Sequence, residues 1–531
     1  MVVWNAYFAL KLFLLWRGSI NLSLPLNLAF LAFVACPLPP KLEANRMFLL
    51  LRQLVNTGLA AALLWHDSWL PPPLEAREHL GQQGLPSLGY IVSFIGGYFD
   101  VIIVAVVVSA LGFFYLVRKF RLANSVAVAL ALIAAPLLTH QADSEAAKEQ
   151  AKAAAAAAAA AKFDSPQKYL ESFYGSESER VVLFKKPSGP AFDIVIVHVC
   201  SMAWQDLKEV GLDKDSFFGE FDYSFTNFNS VSSYSNPSVL RLLRSNCGQT
   251  SHTEVYNPAP ATCMLFESLK SDGYVNYVSM SHDGHYGDYI RDIKQNGLDN
   301  AQFLMPDKGM KKEAIFFDES STFNDATMFA KWQALREQPV GGKVPERAAL
   351  YYNTVNLHAG SHWADEKKWW TRDKKDQYQD VAAFMVRDLH KFVDSLKAGK
   401  RNTVMIFLPE HGRALSGSPI QAADLRDIPT PLITHVPAGI KFFGPAFTHK
   451  ATVNIDKPAS YMALSWLLAR FIEKSPFGPG AEAPDTLVKK VPGTDYVAEN
   501  QSNIVIDLGG TYYLSQKPGQ WQALTPAQLG Q

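Results

Sequence analysis

The sequence predicts two structurally different parts: an α-helical membrane domain of five helices, followed by an α/β domain with a mostly parallel central sheet. Up to residue 140 the chain has long apolar runs and few charges. An alanine-rich stretch follows, and from about Pro187 short β-branched runs alternate with polar stretches of helical periodicity. The predicted boundaries are 1–140 for the membrane domain, 141–186 for a helical linker and 187–531 for the α/β domain.

Composition excludes several classes of protein. The 531 residues are 48% hydrophobic and 19% charged, which is typical of neither a disordered chain nor a coiled coil. The 50 Lys and Arg residues balance 50 Asp and Glu residues, so the electrostatic basis for nucleic-acid binding is missing. The charge is uneven, since nine basic and five acidic residues up to Thr139 give that part a net +4.

Five apolar segments predict the membrane domain. Val101–Val117 and Leu122–Thr139 carry no charge and approach the roughly 20 residues that cross a bilayer. Prolines or single charges interrupt the other three: Val2–Trp16, Asn21–Pro37 and Met47–Trp65. A buried helix of a soluble protein is the alternative for each segment, but five in succession favour membrane spans. No small-residue cleavage site follows the first segment, which argues against a removable signal peptide.

The basic residues predict the orientation of these spans. They cluster in the loops after the second and fourth segments: Lys41, Arg46, Arg118, Lys119 and Arg121. The positive-inside rule makes both loops cytoplasmic, whereas the acidic loop His66–Tyr98 belongs outside. The N-terminus is then cytoplasmic, and everything after His140 is periplasmic in a bacterium with two membranes. Lys11, within the first segment, is expected to snorkel to the interface rather than contact a lipid phosphate or another subunit.

Nine consecutive alanines mark the linker. They occupy Ala153–Ala161 within the stretch Gln141–Lys162, between lysines and glutamates. Alanine has the highest helix propensity, so a solvated helix that acts as a semi-rigid spacer is expected here.

Alternating strands and helices predict the α/β domain. The strand candidates are Phe192–Val199, Tyr274–Met280, Ala348–Val355 and Thr403–Leu408. The helix candidates between them are Asn236–Ser245, Met328–Glu337 and Tyr378–Lys397. Functional sites in such folds lie beyond the carboxyl ends of the strands.

Candidate metal ligands follow two of these strands. Cys200 ends the first strand, and Glu410 and His411 end the fourth between Pro409 and Gly412, which mark the exit from the sheet. Sulfur, oxygen and nitrogen ligands together suit zinc. The alternatives are a surface Glu-His pair and a cysteine that packs as a small apolar residue.

A serine at a helix start is the candidate nucleophile. Ser235 precedes Pro237 at the beginning of a predicted amphipathic helix. There the free N–H groups and the helix dipole favour a phosphate. The alternative is that Ser235 only caps the helix.

Five motifs occur in a recognisable order: Cys200–Trp204, Phe228–Ser235, Cys247–His252, Pro409–Gly412 and Leu425–Pro429. Together they resemble the bacterial cellulose phosphoethanolamine transferases, an inner-membrane, zinc-dependent family of the alkaline-phosphatase-like superfamily. The resemblance runs from the apolar segments through the C-terminal part and fails mainly in the linker. It implies an α/β domain of alkaline-phosphatase/sulfatase-like type.

The resemblance also implies the site residues. Cys200, Ser235, Glu410 and His411 would surround Zn²⁺, with Ser235 as the nucleophile. Further residues that match the family's site are Tyr234, His358 and Arg426. The chain departs from the family pattern at Asn236, Arg413, Ala359 and Ser361, which leaves substrate fit and the roles of His358 and His362 open.

The implied reaction transfers phosphoethanolamine from phosphatidylethanolamine to the glucose 6-hydroxyl of nascent cellulose through Ser235. His358 would act as acid and then as base, and Arg426 would pair with phosphate oxygens or with Asp424 or Asp427. Subunits of the cellulose synthase complex are the expected partners. The alternatives are a related phosphoglycerol transferase or sulfatase, and a catalytically degenerate scaffold of the secretion complex.

Three cysteines lie outside the membrane in this topology, where an oxidising periplasm favours disulfides. If Cys200 is a metal ligand, Cys247 and Cys263 remain for each other. The alternative is two free buried thiols.

Overall fold

The computed structural model of the protein describes residues 1–17, 19–70, 86–96, 101–120, 123–135, 165–449, 451–517 and 519–530. The predicted linker helix Gln141–Lys162 lies outside the described residues. So does the end of the fifth predicted segment, from residue 136.

Helices occupy all five predicted apolar segments. The helices described before residue 140 are α1 (Val2–Trp16), α2 (Leu24–Ala35), α3 (Pro40–Glu43), α4 (Arg46–Asp67), α5 (Leu88–Gly96), α6 (Val101–Leu116) and α7 (Ala123–Ala135). Among the described residues, only α4, with 22 residues, is long and apolar enough to cross a membrane alone. Spanning by α1, α2, α6 and α7 therefore stays a prediction.

Lys11 does not snorkel, contrary to the sequence-based expectation. Its side chain is fully buried in α1, where the ammonium donates to Asn27 Oδ1 of α2 at 2.7 Å and pairs with Asp67 at the end of α4. Asn27 also donates to Asp67 at 2.6 Å. Breaking such a buried pair typically costs about 3–5 kcal/mol, so this network ties three helices together.

Fifteen strands are described in the second part of the chain: β1 (Asp193–Val199), β2 (Tyr223–Phe225), β3 (Tyr274–Met280), β4 (Gln302–Leu304), β5 (Lys312–Ile315), β6 (Ser321–Phe323), β7 (Arg347–Thr354), β8 (His362–Trp363), β9 (Thr403–Pro409), β10 (Ala438–Phe443), β11 (Val453–Ile455), β12 (Val497–Glu499), β13 (Ile504–Leu508), β14 (Thr511–Lys517) and β15 (Gln520–Ala523). Eight of them form the central sheet in the order β11-β2-β10-β9-β1-β7-β3-β4. Only the two pairings of β10 within this sheet are antiparallel, which confirms the predicted mostly parallel sheet.

The helices described in this part of the chain are α8 (Pro166–Glu177), α9 (Trp204–Glu209), α10 (Ser216–Gly219), α11 (Ser235–Leu243), α12 (Leu265–Ser271), α13 (Tyr289–Ile293), α14 (Asp325–Arg336), α15 (Lys374–Ala398), α16 (Pro431–Thr434), α17 (Tyr461–Glu473) and α18 (Pro484–Lys490). α8 packs on the separate sheet β12-β13-β14-β15, and helices cover both faces of the central sheet. Ile194 and Ile196 of β1 pack with α11 and α17, whereas Val195 and Val197 pack with α14 and α15. Burial on both faces explains why the strands read as continuous apolar runs.

The four predicted strands are the four neighbours β9-β1-β7-β3. In the register of this sheet, Val199 at the end of β1 lies opposite Thr354 of β7 and Pro409 of β9. The chain therefore leaves all three strands at one edge, the edge at which the sequence predicts the site.

Helix α5, which the sequence did not predict, packs against this domain. The Ser87 N–H donates to the Phe317 carbonyl at 2.8 Å, and the Tyr90 and Phe317 rings lie 5.9 Å apart. Gly360, at φ +85°, permits the approach, because a Cβ there would lie 2.4 Å from Cδ2 of Tyr90. A segment from the amino-terminal part thus reaches the α/β domain beside Phe317.

Cys247 and Cys263 form a disulfide, while Cys200 is a free, buried thiol. The expected pairing is confirmed. The bridge closes a loop that includes the short 3₁₀-helix Glu254–Tyr256.

Replacing both bridged cysteines, in the variant Cys247→Ser/Cys263→Ser, should lower the free energy of unfolding by about 3 kcal/mol. The reason is that a loop of about 15 residues regains its entropy in the unfolded chain. Urea unfolding followed by tryptophan fluorescence measures the change. Cys36→Ser, which replaces a free exposed cysteine, is the control and should unfold like the parent protein. Equal unfolding of the double variant and the parent would contradict a stabilising bridge.

Candidate active site

The four residues proposed to surround a metal meet at one point. Cys200 Sγ lies 3.5 Å from Ser235 Oγ and 3.8 Å from His411 Nε2, and Ser235 Oγ lies 3.4 Å from His411 Nε2. The ligand atoms of Cys200, Glu410 and His411 all lie within 4.8 Å of one another, and these three side chains are fully buried.

Strand ends bring these groups together. Cys200 follows β1, and Glu410 and His411 follow the adjacent β9. The backbone turns sharply after Cys200, because Ser201 adopts a left-handed conformation with φ +63°. Non-glycine residues rarely adopt it and pay about 1–3 kcal/mol of strain, a feature that concentrates at functional sites.

Ser235 is the first residue of α11, and it is not a cap. The N-cap position is Tyr234, and no side-chain capping hydrogen bond is made there. The hydroxyl of Ser235 faces Cys200 and His411 instead. The capping alternative is therefore wrong, and a hydroxyl lies at a helix N-terminus beside the candidate ligands.

Burial opposes charge on each candidate ligand. It raises the pKa of the Cys200 thiol to about 12, with a further contribution from Glu410, and raises the pKa of Glu410 to about 7. Burial and the nearby Arg426 hold the pKa of His411 well below its usual value. A thiolate and a carboxylate in this place need a cation to stabilise them.

The residues present fit such a cation. Glu410 Oε1 accepts a hydrogen bond of 2.7 Å from Asn353, but Glu410 Oε2 is buried without a hydrogen-bond partner among the described residues. The His411 Nδ1–H donates to the Gly412 carbonyl at 2.8 Å, which leaves the Nε2 lone pair facing Cys200 and Ser235. Sulfur, oxygen and nitrogen donors together suit zinc. Hydrogen bonds to Asn353 and to the Gly412 carbonyl also hold Glu410 and His411 in place, as is usual for metal ligands.

Arg426 links the other polar groups of the site. Its guanidinium donates to Ser201 Oγ at 3.1 Å and to His358 Nε2 at 3.2 Å, and lies over the Tyr234 ring at 5.6 Å. Asp424 pairs instead with Arg413 and Lys374. Arg426 therefore faces the site.

The structure separates the two histidines that the sequence left unresolved. His358 lines the same cavity as Ser235, and its Nδ1–H donates to the Ala359 carbonyl at 2.8 Å. Burial and Arg426 lower the pKa of His358 to about 3, so the ring is neutral, and its Nε2 lone pair accepts the hydrogen bond from Arg426. His362 stacks on Trp369 at 4.3 Å and does not line this cavity.

A cavity of about 390 Å³ opens beside Ser235. Its wall combines polar groups with aromatic rings: Tyr234, His252, Tyr256, Tyr286, Phe316, Phe317, His358 and Arg426. Phe317 stacks on His358 with a ring separation of 5.0 Å. The cavity can hold a phosphate group next to Ser235 and an organic group against the rings.

Two of the residues that depart from the family pattern, Asn236 and Arg413, make local polar contacts in this structure. The Asn236 amide donates to Asp292 at 3.4 Å while the residue lines the cavity. Arg413 is buried, pairs with Asp424 at 2.9 Å and does not line the cavity.

Supporting residues were missed at the sequence level. Asn353 donates a hydrogen bond to Glu410. A polar amide inside the mostly apolar predicted strand Ala348–Val355 could have marked this residue in the sequence. Asn500 donates to the backbone carbonyls of Arg426 and Asp427 and to Ser233. No local pattern marks Asn500, because its partners lie at least 70 positions away in the chain. Tyr234 is also tied to this group, since its hydroxyl donates to Asp427.

This chain is similar to known proteins along nearly its whole length. The family described as "Cellulose biosynthesis protein BcsG C-terminal domain" matches residues 149–521, and "Cellulose biosynthesis protein BcsG N-terminal domain" matches residues 4–135. The protein of that name from Salmonella typhimurium is 32% identical over 98% of this chain and 95% of its own length. The Escherichia coli protein gives the same identity and coverage.

Among solved structures, an alkaline phosphatase superfamily protein from Vibrio parahaemolyticus is similar with a TM-score of 0.48 and 13% identity, covering 68% of this chain and 88% of that chain. The two family matches and the 32% identity over almost the full length decide the assignment. The chain belongs to the cellulose biosynthesis protein BcsG family.

Proposed function

We propose that this protein transfers phosphoethanolamine from phosphatidylethanolamine to the glucose 6-hydroxyl of nascent cellulose, through a covalent intermediate on Ser235. The observation that carries the proposal is the Ser235 hydroxyl, at a helix N-terminus, within 3.5 Å of two members of a buried Cys200-Glu410-His411 donor set. Membership of a cellulose biosynthesis family supports the acceptor.

In the first step Ser235 Oγ attacks the lipid phosphorus. The bond from phosphorus to the glycerol oxygen breaks, and the Ser235 proton ends on that oxygen, so diacylglycerol leaves. Zinc held by Cys200, Glu410, His411 and Ser235 would supply the positive charge that lowers the serine pKa and polarises the phosphoryl group. Arg426 and the free N–H groups of α11 hold the phosphate oxygens.

In the second step the glucose 6-hydroxyl attacks the phosphoserine ester. Its proton ends on Ser235 Oγ as the serine–phosphorus bond breaks, which restores the enzyme. His358 is neutral, and once Arg426 binds the phosphate oxygens instead of Nε2, that nitrogen serves as the base for this proton. The acid role of His358 in the first step stays a prediction, because the ring must first take up a proton there.

The same proposal places the protein in the bacterial inner membrane. α1, α2, α4, α6 and α7 would span it with the N-terminus in the cytoplasm. The α/β domain, of alkaline-phosphatase-like type, would lie in the periplasm next to both the lipid donor and the secreted glucan. Subunits of the cellulose synthase complex would be its partners.

Two alternatives remain distinguishable. A related phosphoglycerol transferase or sulfatase would use the same site with another donor or acceptor. A catalytically degenerate scaffold would lack turnover altogether, which the complete donor set beside Ser235 argues against.

Removing a ligand should remove the metal. Purified full-length Cys200→Ala and His411→Ala proteins are expected to hold less than about a tenth of the parental zinc. Loss of a direct ligand weakens metal binding by more than the 10–100-fold that follows loss of a residue hydrogen-bonded to a ligand. Elemental analysis by mass spectrometry measures this. His362→Ala is the matched control and should keep the parental zinc, because His362 stacks on Trp369 outside the cavity. Full occupancy in both ligand variants would overturn the proposed ligand set.

Replacing the nucleophile should abolish the intermediate. After incubation with phosphatidylethanolamine, the parent should gain the mass of phosphoethanolamine on the peptide containing Ser235, and Ser235→Ala should gain none. Diacylglycerol release should fall by about 10³-fold or more in that variant. Ser251→Ala, which replaces another serine close to the cavity wall, should behave like the parent. Near-normal transfer to cellulose by Ser235→Ala would show direct attack of the acceptor on the lipid. Absence of turnover in the parent would favour the scaffold.

A further inference from the structure

A second cavity, of about 320 Å³, lies behind the wall of the catalytic cavity. The segment 252–257 separates the two: His252 and Tyr256 line the catalytic cavity, whereas Glu254 and Val255 line the second. Helix α11 has Ser235 at its start, beside the first cavity, and Arg241 near its end, in the second. One helix and one loop thus belong to both cavities.

Arg241 carries two buried nitrogens without partners. The residue is 6% exposed, and its Nη1 donates to the Thr250 carbonyl at 2.7 Å. Its Nε and Nη2 are buried and have no hydrogen-bond partner in the described part of the chain. These two nitrogens form one edge of the planar guanidinium, whose parallel N–H bonds match the two oxygens of a carboxylate or phosphate.

The same fold shows how such an edge is satisfied elsewhere. Arg336 is also buried, and its Nε and Nη2 donate to the two carboxylate oxygens of Asp193 at 2.9 Å and 2.8 Å. Both partners there belong to the chain. At Arg241 the equivalent edge has no such partner among the described residues, and the residue lines the second cavity. An unpaired buried charge is strongly destabilising.

Other groups around the second cavity favour an added anion. Arg244 also lines it, and burial together with the charge of Arg241 lowers the pKa of Arg244. The buried Ser245 hydroxyl, another lining group, has no partner among the residues described. An anion would relieve the repulsion between the two arginines and give the hydroxyl an acceptor.

The neighbouring carboxylates are already engaged. Glu177 accepts from Arg180 and from the Gln249 N–H, and Glu254 accepts from Ser251. Glu499 accepts from Tyr174 and from the His252 N–H, and burial raises its pKa although Arg241 is near. The negative charge of these acids repels a ligand that carries many negative charges, which favours one small anionic group over a polyanion.

We propose that the second cavity binds a single small oxyanion group, a phosphate or a carboxylate, on the Nε and Nη2 edge of Arg241. The site is separate from the one at which Ser235 reacts. Because the bound group would join α11 to the Thr250–Tyr256 segment, its occupancy stiffens the wall that carries His252 and Tyr256.

Thermal unfolding of the full-length protein tests this. Arg426→Gln serves as the background, because it weakens phosphate binding in the catalytic cavity. Inorganic phosphate at up to about 10 mM, with chloride holding the ionic strength constant, should raise the unfolding midpoint by about 2 °C. Adding Arg241→Gln should abolish the rise. Adding Arg291→Gln, which replaces an arginine with a 57% exposed side chain, should leave it unchanged.

Parallel titrations identify the ligand class. A rise with phosphate but not acetate assigns a phosphate group, and a rise with acetate assigns a carboxylate-compatible site. No rise with either anion, or an equal rise in the Arg241→Gln protein, overturns the proposal. If Arg241→Gln fails to fold, Arg241→Lys keeps the charge but loses the paired N–H edge. An undiminished rise in Arg241→Lys would then be the contradicting result.

Discussion

The parallel pairing of β1 with β7 on one side and β9 on the other determines where the reactive groups meet. With Val199 level with Thr354 and Pro409, the residues just beyond β1 and β9 must share one edge. Asn353, near the end of β7, then lies within reach of Glu410. A shift of one residue in either pairing would turn the alternate side chains to the opposite face and separate Cys200 from Glu410 and His411. The apolar contacts on both faces of the sheet hold that register.

The central strands, the long helices and the candidate metal donors were predictable because each depends on a local pattern. Asp193–Val199 and Thr403–Pro409 are buried apolar runs, and Lys374–Ala398 is a long amphipathic helix. The short strands β2, β4 and β11 have three residues each, too few to show a period. The contacts of Arg426 with His358, and of Asn500 with the backbone near Arg426, join distant segments that no local pattern relates.

Buried charged groups occur in both parts of the molecule. Lys11 in the helical part and Arg336 in the α/β domain each neutralise a carboxylate within the chain, so they contribute to stability rather than to reactivity. Cys200, Glu410 and the Nε–Nη2 edge of Arg241 lack such a complement among the described residues. A buried ionisable group that has no oppositely charged partner in the chain indicates a candidate ligand site. Burial of a charge alone does not indicate one, because Lys11 is buried and Asp67 neutralises it.

Helix α5 limits how far the α/β domain can lie from helix α6. α5 contacts Phe317 beside the cavity and ends at Gly96, and α6 begins at Val101. Five peptide steps extend at most about 18 Å. That limit is shorter than the roughly 30 Å hydrocarbon core of a bilayer. If α6 spans a membrane as proposed, this limit keeps the α/β domain close to one membrane surface, where the proposed lipid donor would be within reach of Ser235.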